Sequence, residues 1–248
     1  MYFTAALLDE NRTLGELVRD ADDSVEVPTC PGWTVQQLFR HVGRGHRWAA
    51  QIVEDRRTEP LSPRDVRDGK PPEDPDAAID WLYGGAERLI DAVQTTGEDT
   101  PVWTFVGPRP AAWWIRRRAH EVLVHRADAA IALGREFDVA PAMAADGVTE
   151  WFEIVLGIGA QPTPLDPGTS LHLHATDDGL GDSGEWLLEN ADGRLAMSRG
   201  HAKGTVAVRG TAENLLLGVT RRIAADDPQL DVVGDSQVWR TWLERTPL

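Results

Sequence analysis

The sequence has little cysteine, little lysine and a deficit of positive charge. Cys30 is its only cysteine, so no disulfide can form within the chain and a zinc site made of thiolates alone is excluded. Its 40 acidic residues against 25 lysines and arginines leave a formal charge of −15, which repels nucleic-acid phosphates and anionic lipid surfaces. We therefore expect neither nucleic acid nor a membrane as a partner.

Long apolar runs are also absent. No stretch approaches the length of a membrane span, and the first residues lack the basic segment and long apolar core of a secretory signal. We expect a cytoplasmic protein, either a monomer or a homodimer. The length of 248 residues and the 42% hydrophobic content suffice for one large folded domain or two smaller ones.

Proline and glycine divide the first half of the chain into helical segments. The spacing of apolar residues predicts helices over about 3–21, 35–54, 77–95 and 111–134. Thr34 and Gln37 have the spacing of a capping box at the start of the second helix. These segments predict a four-helix bundle over residues 1–140.

The pattern changes beyond residue 140. A helix over about 141–156 is followed by short segments that alternate or cluster like strands, and by two more helical segments. The strands are predicted over 171–175, 185–188 and 205–208, and the helices over 211–217 and 236–243. This order is typical of a small α+β domain, here residues 141–248, so the predicted fold class of the whole chain is α+β.

The fourth helix carries a narrow polar stripe. At about 100° per residue, Arg118, Glu121, His125 and Asp128 fall within about 80° of one another, between two apolar edges. Such a line indicates side chains that point into the bundle rather than towards solvent. Because burial of unpaired charges is costly, these groups need a metal ion, water or one another.

Glu121 and His125 are four residues apart on this helix, so both side chains can reach one ion. A third ligand must come from another helix, and the second helix offers His41 and His46 on opposite sides of its apolar seam. Helical phase does not choose between these two histidines. The competing interpretation is that Glu121 and His125 form a solvated surface pair.

Other reactive side chains have simpler interpretations. His172 and His174 share one face of a predicted strand and could serve as a ligand pair, although exposed polar residues are the commoner case. His120 is interpreted as a surface or packing residue and His201 as a loop residue. Cys30, between two prolines, is interpreted as a small packing residue at a helix entry.

Three passages resemble the mycothiol-dependent maleylpyruvate isomerase family. They are residues 27–34 with their continuation through Leu38 to His41, residues 118–128, and the run 206–216. Together they span most of the chain, and the first two are the more specific. The resemblance implies a DinB-like four-helix bundle followed by a small sterol-carrier-like α+β domain.

The resemblance also implies a divalent metal ion, usually zinc, held by a histidine on the second helix and a Glu-x-x-x-His pair on the fourth. The matching residues are His41, Glu121 and His125. Two histidines and one carboxylate leave one position of a zinc ion open. In the family the sulfur of mycothiol is thought to take this position, where its pKa falls and it becomes a strong nucleophile.

The resemblance implies an enzyme that uses mycothiol to act on a small electrophilic or anionic substrate. Its reaction would be that of a cis–trans isomerase or of a thiol S-transferase. Arg118 is the first candidate for orienting a substrate carboxylate. Arg221 and Arg222 of the C-terminal domain are weaker candidates. Asp128 is expected either to hold a histidine ring or to form a surface salt bridge.

Two other functions fit the same residues. The protein could be a non-catalytic module that binds a small ligand, with a structural metal or none. A structural zinc would need a fourth protein ligand, for which only His46 or Asp128 is available. The protein could also be a metal hydrolase, with water in the open position and Asp128 as the general base.

Overall fold

The chain is described by a computed structural model over residues 2–159, 163–191 and 193–246. It forms two compact units, one ending at Phe137 and the other beginning at Asp138. The first unit is dominated by helices and the second combines a sheet with helices, which confirms the predicted α+β class. None of the helices in the described ranges is both long enough and apolar enough to cross a membrane.

Four long helices build the first unit. They are α1 (Tyr2–Val18), α2 (Val35–Glu54), α3 (Pro75–Thr96) and α4 (Trp113–Leu133). Helix α2 packs along α3 and α1 along α4, with further contacts between α1 and α3 and between α2 and α4. Buried leucine, valine and alanine side chains from all four helices form the core. A short antiparallel ladder of β1 (Pro101–Val102) and β2 (Arg109–Pro110) precedes α4.

The ends of these helices follow local sequence signals. The Thr34 hydroxyl accepts from the Gln37 amide at 3.4 Å, and the Gln37 side chain accepts from the Thr34 amide at 2.8 Å, which confirms the capping box. Asp74 caps α3 by accepting from the Ala77 amide at 2.9 Å. Helix α4 ends at Gly134, whose backbone is left-handed with φ of 61°.

The segment between α1 and α2 folds into compact turns. Its two prolines lack amide hydrogens and cannot continue a helix. The Cys30 amide donates to the Val27 carbonyl at 3.0 Å, and the Trp33 amide donates to the Cys30 carbonyl at 3.0 Å. These turns fix the side chains of residues 29–33 beside the start of α2.

The second unit begins with α5 (Pro141–Ile158) and contains a five-stranded sheet. Its strands are β3 (Ser170–Ala175), β4 (Glu185–Ala191), β5 (Arg194–Arg199), β6 (Val206–Gly210) and β7 (Asp231–Gly234). The strand order is β5-β4-β3-β6-β7, with β3 and β6 parallel and the other pairs antiparallel. Helices α6 (Ala212–Val219) and α7 (Ser236–Arg245) complete the unit.

The two faces of strand β3 differ in character. Leu171 and Leu173 are fully buried on the face that meets the apolar core, where α6 and α7 contact the strand. His172 and His174 alternate with them and lie on the opposite face. The sequence did not predict β5 and β7. Both lie at the edges of the sheet and are largely exposed, so they lack the apolar pattern that identifies a buried strand.

Gly43 makes a close approach between α2 and α3 that can be tested. A Cβ at Gly43 would overlap the ring of Trp81, whereas a Cβ at Gly84 on α3 would meet nothing within 4 Å. We expect Gly43→Ala to lower the free energy of unfolding by about 1–3 kcal/mol through overpacking. Gly84→Ala should raise it by up to about 1 kcal/mol, because alanine favours helix. Urea unfolding followed by circular dichroism measures both, and equal effects would contradict the close packing.

Candidate metal centre

The polar stripe of α4 points into the helical unit, as the narrow pattern predicted. Arg118 is 4% exposed, His125 9% and Asp128 0%. Buried charges at this depth must be paired with other protein groups or with a ligand. The interpretation of Glu121 and His125 as a solvated surface pair is therefore wrong.

His41, Glu121 and His125 converge at one point. Nε2 of His41 lies 3.0 Å from Oε1 of Glu121, and Nε2 of His125 lies 3.7 Å from the same oxygen. One donor atom from each residue lies within 4.8 Å of the other two. The His41 side chain is 40% exposed, whereas those of Glu121 and His125 are 21% and 11% exposed. The cluster is thus accessible to solvent on the His41 side.

His46, the alternative that helical phase left open, is directed elsewhere. It is fully buried, and its Nε2 lies 3.0 Å from Oδ1 of Asn11. Its Nδ1 accepts a hydrogen bond from Nε of Arg118 at 3.3 Å. Both ring nitrogens are therefore engaged by protein groups, and His41 is the histidine of α2 that meets Glu121.

Asp128 holds the ring of His125. Its Oδ2 lies 2.8 Å from Nδ1 of His125, and its Oδ1 accepts a hydrogen bond from the Thr29 hydroxyl at 2.5 Å. The Cys30 thiol is 3.4 Å from Oδ2. Because Asp128 is fully buried, it is not the surface salt bridge that the sequence allowed. A carboxylate that binds Nδ1 orients the ring so that Nε2 faces Glu121, as is common for metal-ligating histidines.

Two arginines flank Glu121 on the same helix. The Arg117 guanidinium contacts Oε2, and Arg118 lies 3.4 Å from Oε1. Arg118 also donates to the Val42 carbonyl at 3.0 Å. A Cβ at Gly45 would overlap the Arg118 guanidinium, so this glycine makes room for it. Arg117 was not predicted from the sequence, although its spacing of four residues from Glu121 was an available signal.

These arginines control the ionisation of the carboxylate. Burial would raise the pKa of Glu121, but the positive charges of Arg117 and Arg118 hold that pKa well below its usual value. For His41 burial dominates and lowers the pKa, although the hydrogen bond with Glu121 opposes it. Glu121 is therefore ionised, and His41 favours the neutral form that can bind a cation.

His125 has the opposite tendency. Burial favours its neutral form, but hydrogen bonds with Asp128, Cys30 and Glu121 raise its pKa to about 10. Cations bind the deprotonated nitrogen of imidazole, so a metal ion that binds here must displace a proton from His125.

Trp33 lies against both histidines of the cluster. Its ring centroid is 4.8 Å from that of His41 and 6.2 Å from that of His125. The turns at residues 27–34 bring Trp33 to this position and also bring Thr29 and Cys30 to Asp128. The contacts of Trp33 and Thr29 could not be predicted from the sequence, because loop geometry has no periodicity.

A second group of donors shares His125. One donor atom each from Cys30, His125 and Asp128 also lie within 4.8 Å of one another. These three side chains already bond to one another around the buried Asp128 carboxylate. The group formed by His41, Glu121 and His125 has an exposed side, and its two nitrogens and one oxygen suit zinc. It is the better candidate for a metal site that admits another ligand.

Arg221 and Arg222 lie in the second unit. Arg222 donates to the Thr220 carbonyl at 2.6 Å, and Arg221 donates to the Leu243 carbonyl at 3.0 Å. The roles that the sequence analysis gave to Arg222 and Arg118 with substrate stay predictions.

Known protein families match nearly the whole chain. Residues 4–130 match the family described as "Mycothiol maleylpyruvate isomerase N-terminal domain", and residues 142–241 match the "MDMPI C-terminal domain". The chain belongs to the mycothiol-dependent maleylpyruvate isomerase family. This confirms the resemblance found in the sequence and places the protein among enzymes.

Two solved structures share the fold of this family member. One is the crystal structure of the mycothiol-dependent maleylpyruvate isomerase, with 17% sequence identity and a TM-score of 0.59. The match covers 93% of this chain and 91% of that chain. A histidine-to-alanine mutant of the mycothiol-dependent maleylpyruvate isomerase is 18% identical, with a TM-score of 0.55 over 87% of this chain and 86% of that one. No curated protein matches the chain.

The bond between Asp128 and His125 predicts a measurable effect on metal affinity. Asp128→Asn removes the negative charge behind His125 but keeps the size of the side chain. We expect zinc to bind about 10–100-fold more weakly, as for other carboxylates that support a metal-ligating histidine. Competition with a chromophoric chelator measures this affinity. Asp91→Asn, at an exposed position of α3, is the control, and equal affinities of the two variants would contradict the role of Asp128.

Proposed function

We propose that this protein is a metal-dependent enzyme that uses mycothiol to act on a small electrophilic substrate. The reaction is a cis–trans isomerisation of the maleylpyruvate type or a related thiol S-transfer. The observation that carries the proposal is the convergence of His41, Glu121 and His125, with one donor atom from each within 4.8 Å of the others. Membership of the family supports the use of a thiol.

His41, Glu121 and His125 would hold the metal ion, and zinc fits this donor set best. When bound, a divalent cation supplies a Lewis acid that lowers the pKa of a thiol and makes a thiolate available at neutral pH. The exposed side of His41 gives a small thiol access to these residues. Three protein ligands, here two histidines and a carboxylate, are usual for a catalytic zinc site, whereas a structural zinc site usually has four.

The surrounding side chains prepare these ligands. Asp128 fixes His125 so that its Nε2 faces Glu121. Arg117 and Arg118 keep Glu121 ionised. Each contact limits the freedom of a ligand before a metal ion or substrate arrives, which is the requirement for a preorganised site.

The proposed isomerisation consumes no oxidant or reductant. A thiolate adds to the activated double bond of the substrate: a carbon–sulfur bond forms, the carbon–carbon π bond breaks, and its electron pair moves onto the conjugated carbonyl as an enolate. Rotation about the remaining single bond and elimination of the thiolate then give the trans product. A transferase reaction stops at the thioether, after the enolate has taken up a proton from solvent. Arg118 remains the candidate for orienting a substrate carboxylate, since guanidinium groups bind carboxylates in a bidentate manner. Arg222, which lies in the second unit, stays a separate prediction for the same role.

The geometry supports the two alternative functions less well. A structural zinc needs a fourth protein ligand, but His46 is bonded to Asn11 and Arg118. A hydrolase needs a general base beside a water molecule. Asp128 is fully buried and already accepts bonds from His125 and Thr29, so it does not face solvent.

The proposal can be tested by zinc content and thiol chemistry together. We expect His125→Ala and His41→Ala each to lower the zinc content by one ion per chain relative to the wild type, because each removes one of three ligands. The same variants should reduce isomerisation of maleylpyruvate, or mycothiol consumption with a panel of electrophiles, to the background rate. Elemental analysis and proton NMR of the double bond measure the two effects.

His120→Ala is the matched control, since His120 is buried on the same helix as His125 but lies outside the donor group. It should keep the zinc content and activity of the wild type. Equal zinc content in His125→Ala and the wild type would overturn the proposed metal site. If the variants lose zinc but the wild type itself shows no thiol-dependent reaction, the binding module would be favoured over the enzyme.

A further inference from the structure

Three histidines surround one carboxylate in the second unit. His172 Nε2 lies 2.6 Å from Glu185 Oε2, while His174 Nδ1 and His201 Nδ1 lie 2.5 Å and 3.3 Å from Glu185 Oε1. Glu185 is 8% exposed and His172 is 3% exposed. Within the described part of the chain, the ion pairs of Glu185 are all with histidines and none is with lysine or arginine.

The sheet and one connecting segment create this cluster. His174 stands opposite Glu185 in the antiparallel register of β3 and β4, and His172 lies two residues away on the same face. His201 comes from the segment between β5 and β6, which crosses this face. A Cβ at Gly204 would lie 3.0 Å from the His172 backbone nitrogen, so the glycine lets the segment lie close to the strand.

We propose that His172, Glu185 and His201 bind a second divalent transition-metal ion. One donor atom from each residue lies within 4.8 Å of the other two. Two imidazole nitrogens and one carboxylate oxygen form a donor set that suits zinc. His174 is a positioning residue, because it bonds to Glu185 and fixes the direction of that carboxylate. The inference does not depend on the function proposed above.

The cluster is open to small molecules. A cavity of about 760 Å³ is lined by the three histidines together with Lys203 and Arg209. Both cationic side chains are exposed, so water and salt screen their repulsion of a bound cation. Three protein ligands leave a fourth position on a tetrahedral ion. A bound divalent ion would favour a small anion, such as a carboxylate, at that position.

Zinc titration of the chelator-treated full chain tests this site. We expect the wild type to bind zinc at His172, Glu185 and His201, and His201→Ala to weaken that binding by at least about tenfold. The His201 side chain is 82% exposed, so its removal leaves the fold intact, which circular dichroism checks. Arg194→Ala, an exposed residue of β5 outside the cavity lining, is the control and should bind zinc as the wild type does.

The His125→Ala variant separates this site from the one in the helical unit. If His125→Ala still binds one zinc ion, and the double variant His125→Ala, His201→Ala binds none tightly, the second site is supported whatever the outcome of the thiol assays. Glu185→Gln gives an independent check and should also weaken binding. Unchanged zinc affinity in both His201→Ala and Glu185→Gln, or zinc binding only at millimolar concentration, would overturn the proposal.

Discussion

The hydrogen bond between the Asp128 carboxylate and Nδ1 of His125 is the contact on which the polar interior of the helical unit depends. A fully buried carboxylate is stable only when its oxygens are bonded, and Asp128 satisfies this with His125, Thr29 and the Cys30 thiol. The same bonds join α4 to the turn segment that precedes α2. A single buried charge thereby links the loop geometry to the orientation of a proposed metal ligand.

The remaining buried charges of α4 are paired in a similar way. Arg118 contacts Glu121, His46 and the Val42 carbonyl, and His46 continues the chain of bonds to Asn11 on α1. Polar groups from three helices are thus connected through one guanidinium. Buried polar networks with all members bonded make an interior rigid, which suits a site whose ligands must keep fixed positions.

The helices and the inward stripe of α4 could be predicted from sequence, because both arise from local spacing. Thr34 and Gln37 gave the start of α2, and the stripe gave Glu121 and His125. The choice of His41 over His46 could not be predicted from phase, since it depends on which face of α2 meets α4 and which meets Asn11 on α1. The resemblance to the family supplied that choice, and the contacts of His46 explain it. Thr29 and Trp33 lie in a loop, where contacts follow from turns that have no repeating pattern.

Two glycines of α2 have a joint consequence for the position of this helix along its axis. Gly43 admits the ring of Trp81 from α3, and Gly45 admits the Arg118 guanidinium from α4. The large side chains of Trp81 and Arg118 pack into the space left by these glycines, and this packing opposes movement of α2 along its axis. His41 lies within about one turn of both glycines, so this packing, together with the contact with Glu121, limits how far His41 can move along the axis of α2. At the proposed metal centre, His41 would therefore keep its position along the helix axis when a ligand binds.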